Sequence, residues 1–123
     1  MNVFLWIVQI VLAIMFLMAG VMKIGQPKEK LAENQGWVED FAENHVKGVG
    51  ALEILAAIGL ILPGVTGIAP VLTPLAALGI AIVMGGAMAT HWRRGEKQMV
   101  VMNVMLFVLA IIVVWGRFGP EPL

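Results

Sequence analysis

Cysteine, serine and tyrosine are all missing from this chain. Without cysteine there is no disulfide, no thiolate nucleophile, no cysteine-held metal centre and no dithiol redox chemistry of the chain's own. Without serine there is no Gly-x-Ser-x-Gly turn and no serine hydrolase. Histidine occurs at two positions, His45 and His91, with neither ligand spacing nor a paired-carboxylate motif beside them, so no metal site is expected. Phosphate-binding loops are lacking as well. Charge is scarce: Asp, Glu, Lys and Arg make up 13% of the residues, eight of each sign, and a neutral balance gives no reason to expect a nucleic-acid partner.

What remains is apolar. Hydrophobic residues are 60% of a 123-residue chain, which is one domain's length and well outside soluble composition, so the lipid bilayer is the expected surrounding. Four uncharged or nearly uncharged runs read as membrane spans, at about 3–23, 47–62, 74–91 and 98–116. The first lacks a basic segment ahead of it and is a full span long, so it reads as a retained helix rather than a signal peptide. Gly25 and Pro27 stop it, Pro63-Gly64 is expected to stop the second, and Thr73-Pro74 reads as an N-cap with proline opening the third. Within the third, Ala77, Ala81, Gly85 and Ala89 recur every fourth residue, a ridge suited to close helix packing. The fold class expected is all-α, an integral membrane four-helix bundle.

Between the first two spans the chain turns charged. Trp37, Val38, Phe41 and His45 fall at helical spacing there, with Glu39, Asp40, Glu43 and Asn44 opposite, which predicts a short amphipathic interfacial helix over 33–46 anchored by Trp37. Four spans put the two charged loops on one side. Seven of the eight basic residues lie there (Lys23, Lys28, Lys30, Lys47, Arg93, Arg94 and Lys97), leaving Arg117 opposite. By the positive-inside rule the loops are cytoplasmic and both termini extracytoplasmic.

Glu53 is the anomaly of the second span. A carboxylate at that depth must face the bundle interior, pair with a cation or stay protonated. Gly50 and Ala57, one turn to either side, would let another helix come close on its face. Glu53 is six residues past Lys47 and Asn103 six past Lys97, so both should lie roughly 9 Å inside the loop end of their helices. Lys23 and His91 reach the same level from the first and third spans. Lys23, Glu53, His91 and Asn103 therefore form the candidate polar cluster, with Glu53 and His91 the candidates for proton transfer. Each has a structural reading beside it: an ion pair for Glu53, a helix-to-helix hydrogen bond for Asn103, boundary residues for Lys23 and His91.

Three stretches carry a family resemblance. They are Phe16-Leu17-Met18-Ala19-Gly20-Val21-Met22-Lys23, Gly50-Ala51-Leu52-Glu53 with Gly59-Leu60-Ile61-Leu62-Pro63 behind it, and Met84-Gly85-Gly86-Ala87-Met88-Ala89-Thr90-His91. In these the chain resembles the DoxX-like family of small four-helix bacterial membrane proteins. The resemblance implies the bacterial inner membrane and an association with redox or oxidative-stress systems, in which members are subunits beside thiosulfate:quinone oxidoreductases or partners of stress enzymes. Two functions follow as expectations. One is a non-catalytic accessory or interaction subunit, partnered by a membrane or cytoplasmic redox protein or by further copies of itself. The other is an oxidoreductase component that binds a quinone or similar lipophilic ligand and moves its protons through Glu53 or His91.

Overall fold

The computed structural model describes residues 1–26 and 42–123 of the chain. The described residues form four long helices and no strand: α1 (Asn2–Gly25), α2 (Glu43–Thr66), α3 (Leu72–Arg93) and α4 (Lys97–Phe118). All four are long and apolar enough to cross a membrane, the shortest having 22 residues. At about 1.5 Å per residue that length exceeds the ~30 Å hydrocarbon core. The chain is a multi-pass membrane protein built as a four-helix bundle.

Along α1 the two faces separate cleanly. Leu5, Val8, Leu12 and Phe16 point inward at helical spacing, while Val3, Ile7, Ile14, Met18 and Val21 stay exposed, as suits a lipid-facing stripe. The inward set meets Ala57 and Leu60 of α2, Ala77, Ile80 and Met84 of α3, and Ala110 and Val113 of α4 in one core. The helices pack in a ring in chain order, most closely within the pairs α1–α2 and α3–α4 and least between α4 and α1.

Glycine sets the tightest seam. A methyl at Gly20 would stand 2.5 Å from the Gly50 carbonyl oxygen, and one at Gly50 would stand 2.8 Å from Lys23 Cβ. The α1 and α2 backbones thus touch where only hydrogen side chains fit, which brings Lys23 and Glu53 to one level. Lys47 adds a tie, its Nζ donating to the Ile24 carbonyl at 2.9 Å at the end of α1. The ridge on α3 packs only in its first half. Ala77 and Ala81 are buried, but a methyl at Gly85 would meet nothing within 4 Å, and Ala89 lines a cavity.

Two expected boundaries are corrected, and one expected element falls mainly outside the described residues. The interfacial helix lies outside the described residues over 33–41, and at 43–46 the chain is already the first turn of α2. α2 also runs through Pro63 to Thr66, ending at Gly67 in the left-handed conformation (φ 73°) whose N–H bonds back to the Pro63 carbonyl. A proline inside a helix removes the bond to the carbonyl four residues back, here that of Gly59. Thr73 supplies the missing donor: its Oγ1 lies 2.8 Å from the Gly59 oxygen. Thr73 is therefore not an N-cap; α3 begins two residues earlier than expected, at Leu72, with Pro74 in its first turn. Membrane helices tolerate proline where a neighbour satisfies the freed carbonyl in this way.

That geometry makes a testable pair. Thr73→Val should destabilise the protein by about 1–3 kcal/mol by leaving a buried carbonyl without a donor. In a Pro63→Ala background, where residue 63 regains its N–H, the same change should cost much less. Denaturant melts of the four proteins in detergent give the comparison, and an equal cost in both backgrounds would show that the threonine does not replace the proline's missing bond.

Candidate functional site

Toward the charged-loop end the core gives way to a chamber of about 560 Å³. Each helix contributes to its wall: Met15, Phe16, Ala19 and Lys23 from α1, Val49 and Glu53 from α2, Met84, Gly86 and His91 from α3, Met102, Asn103 and Leu106 from α4. Its volume falls in the roughly 300–1,000 Å³ range of small-molecule pockets, and its mix of apolar walls and a few convergent polar groups is also of that kind.

At its inner edge Lys23 Nζ lies 2.8 Å from Glu53 Oε1, both side chains almost wholly buried. The two charges compensate each other, which is the condition for holding either in a low-dielectric interior. Asn103 is buried in α4 and its Nδ2 has no hydrogen-bond partner among the described residues. An amide donor left bare in an apolar wall costs about 1–3 kcal/mol, and a ligand oxygen or a water would recover it.

His91 lines the same chamber, but its Nδ1 is directed at Glu96 Oε1, 2.9 Å away in the turn after α3. Gly95, at φ 73°, folds the turn so that the Glu96 N–H bonds back to the His91 carbonyl at 2.9 Å, and Arg94 Nε stands 3.2 Å from the same carboxylate. Glu96 is a partner that the sequence reading passed over. The signal was the Arg-Arg-Gly run: a left-handed glycine after a helix end returns the next side chain onto the last turn. The four expected cluster residues thus all border one chamber, with Lys23 paired to Glu53, His91 paired to Glu96, and Asn103 unpaired among the described residues.

A second polar knot closes the far end of the bundle. Arg117, buried in the last turn of α4, donates through Nε to Gln9 Oε1 (2.7 Å) and through Nη1 to Asn2 Oδ1 and the Glu121 carbonyl (both 2.8 Å). Gln9 passes the tie on, its Nε2 donating to the Leu60 carbonyl at 2.6 Å. The guanidinium also sits 5.8 Å from the Trp6 ring, which in turn rests against Gly64. Between knot and chamber lies packed apolar core, including Leu12, Leu60 and Ile80. The chamber ends blind on that side.

A model of the DoxX-like family matches residues 7–113, spanning every residue that lines the chamber. The chain belongs to the DoxX-like family. Among curated proteins and among solved structures nothing matches it. In this DoxX-like protein the match stops short of Asn2 and Arg117, so the Arg117 knot extends beyond the matched region while the chamber is inside it.

The Glu96 turn predicts a pH effect. Its hydrogen bond from His91 holds the Glu96 carboxyl below the usual carboxylate range, with the charges of His91 and Arg94 adding to this against some desolvation. A carboxyl whose folded pKa is depressed stabilises the fold fully above its unfolded pKa and loses that contribution as pH falls through the folded one. Wild type should therefore melt above Glu96→Gln at pH 7. The gap should narrow only once pH drops below the ordinary value of 4.5, and close beneath the lowered one. A constant gap down to the lowest pH at which the protein stays folded would place the effect elsewhere.

Proposed function

We propose that this DoxX-like protein is a non-catalytic accessory subunit of a membrane-associated redox or stress-response system, and that it holds a small, uncharged, carbonyl-bearing ligand of quinone type in the loop-side chamber. The observation that supports this most directly is Asn103 Nδ2, a buried donor without a partner among the described residues, on the wall of a chamber of about 560 Å³. A carbonyl oxygen is a neutral acceptor that would satisfy such an amide. Lys23 and Glu53 beside it are already paired with each other, which favours an uncharged head over a charged one that would compete for either member. With no cysteine in the chain, electrons would have to arrive on a partner or on the ligand itself.

The reading includes a placement. In the bacterial inner membrane, with the basic loops cytoplasmic and both termini outside, the chamber would face the cytoplasmic side, where His45 and Arg93 at its rim could meet a redox partner. Reporter fusions at both termini should then behave as extracytoplasmic.

The test of binding uses the protein in nanodiscs and 2,3-dimethoxy-5-methyl-1,4-benzoquinone, the head alone with no side chain. Saturable binding is expected, weakened about twofold to tenfold by Asn103→Leu, the worth of one hydrogen bond. Lack of binding by the folded wild-type protein would refute the reading. Glu53 also offers a proton-transfer version of it, because it lines the chamber. In that version Glu53→Gln would bind the head normally yet lose the redox activity of the assembled system, whereas the accessory reading expects activity to persist.

A further inference from the structure

On the lipid side of the chamber, between α2 and α3, runs an apolar groove of about 610 Å³. We propose that this groove is the berth of an apolar chain attached to the chamber's ligand, and that the site therefore takes a single-chain amphiphile which slides in sideways from the bilayer, head first. The proposal rests on the ligand-binding reading above and specifies the ligand's class and its route.

Three residues carry the inference. Phe16, Glu53 and Val83 line both the groove and the chamber, so the two spaces share a wall rather than lying apart. Glu53 is where they meet. The groove's other walls are aliphatic, from Leu55, Ile58 and Leu62 on α2 and Leu72 and Leu75 on α3, side chains exposed on the bundle's outer face. The groove exists because the α2–α3 seam packs less closely than the α1–α2 and α3–α4 seams. The two helices touch at one end of it, where Thr73 bonds Gly59 and a methyl at Gly59 would stand 2.9 Å from Ala76 Cβ. One turn on, at Gly79, a methyl would meet nothing within 4 Å.

The chemistry of the shared wall selects the occupant. A chain lying in the groove exchanges lipid contacts for protein ones, which gains little in a bilayer. Occupancy becomes specific only if a head anchors it, and the anchor available is the donor of Asn103 across the chamber. Lys23 and Glu53 are already paired with each other at this wall, so a neutral head meets them without separating the pair. Packed core closes the far end of the chamber, and on this proposal a lipid-soluble molecule arrives through the wall that groove and chamber share.

Two glycines allow each space to be filled separately. Gly79 lines the groove and Gly86 the chamber, and a side chain begun at either meets nothing within 4 Å. The experiment photolyses, in nanodiscs, the same benzoquinone head carrying a ten-carbon chain tipped with a diazirine, and maps the labelled residues by mass spectrometry. The expected result is labelling on groove residues of α2 and α3, reduced at least tenfold by Gly79→Phe and also by Gly86→Phe, which blocks the head. The chainless quinone should lose binding in Gly86→Phe and keep it in Gly79→Phe, with melting temperatures reporting that both variants fold. Groove labelling that survives Gly86→Phe would mean that the groove merely accommodates bulk lipid chains, and the proposal fails. Labelling confined to the chamber and indifferent to Gly79→Phe also overturns the berth while leaving ligand binding intact. Failure of the chainless quinone to bind wild type would remove the ligand-binding reading and the berth with it.

Discussion

Glu53→Leu is expected to destabilise the folded protein by up to about 3–5 kcal/mol, because it removes the carboxylate of a buried ion pair. Lys23 Nζ lies 2.8 Å from the lost carboxylate and has almost no exposure to water. The companion change should recover most of that loss: in Lys23→Met/Glu53→Leu both charges are gone, and the side chains that replace them are of similar volume and suit an apolar interior. Such replacements of whole buried pairs are often neutral or stabilising. Glu53→Gln keeps the shape but not the charge and should fall between wild type and Glu53→Leu. Unfolding in detergent, read as a double-mutant cycle, gives the coupling energy directly. If the double variant is as unstable as Glu53→Leu, the pair does not carry the effect.

A protein that kept this pair for stability alone could therefore dispense with it. Glu53 stands on the wall shared by chamber and groove and Lys23 on the chamber side alone; on the proposed reading, the pair would offer polarity to a ligand head without net charge. Stability and ligand binding should separate in Lys23→Met/Glu53→Leu, which is predicted to fold and to bind the quinone head less well.

The bundle was legible because membrane spans announce themselves: uncharged runs of the right length, broken by Lys23, Lys47, Arg93 and Lys97, can be counted without knowing their contacts. Boundaries that depended on contacts were not legible. Pro63 reads as a stop in any single helix, and only the Thr73 hydroxyl of another helix makes it a tolerable interior residue. The level of the polar groups followed from distance along each helix, which is why Glu53 and Asn103 were read at one depth. The partner of each was a question of rotation about the helix axes, and Gly20 against Gly50 decides it for Lys23 and Glu53. Glu96 was hidden because a turn, not a period, returns it to His91. Arg117 entered the sequence reading only as a charge for the topology count. Its hydrogen-bonding partner Gln9 is 108 residues away, and no pattern in either helix points to the other.

Arg117→Leu is expected to be about as damaging as the loss of Glu53, for a different reason. The guanidinium donates to the side chains of Gln9 and Asn2 and to the Glu121 carbonyl, so it ties the start of α1 and the chain after α4 to the end of α4. The α4–α1 seam is the weakest in the ring, and this knot is its polar fastening. Leucine would leave Gln9 Oε1 buried without its donor, at about 1–3 kcal/mol, and would lose two further hydrogen bonds to a charged group, each worth about 1.5–3 kcal/mol before the relief of desolvating the guanidinium is subtracted. A net loss of about 3–5 kcal/mol is the expected outcome. Arg117→Lys keeps the charge but not the planar fork that reaches Gln9 through Nε and Asn2 through Nη1, so it should recover less than half of that loss. Gln9→Leu removes the acceptor and the bond to the Leu60 carbonyl together, and combined with Arg117→Leu it should be less harmful than the sum of the single changes. Hydrogen exchange in nanodiscs reads where the damage falls: amides at the start of α1 and the end of α4 should lose protection in Arg117→Leu while those around Glu53 keep theirs. Uniform loss across all four helices would mean that the knot supports the whole bundle rather than its weakest seam.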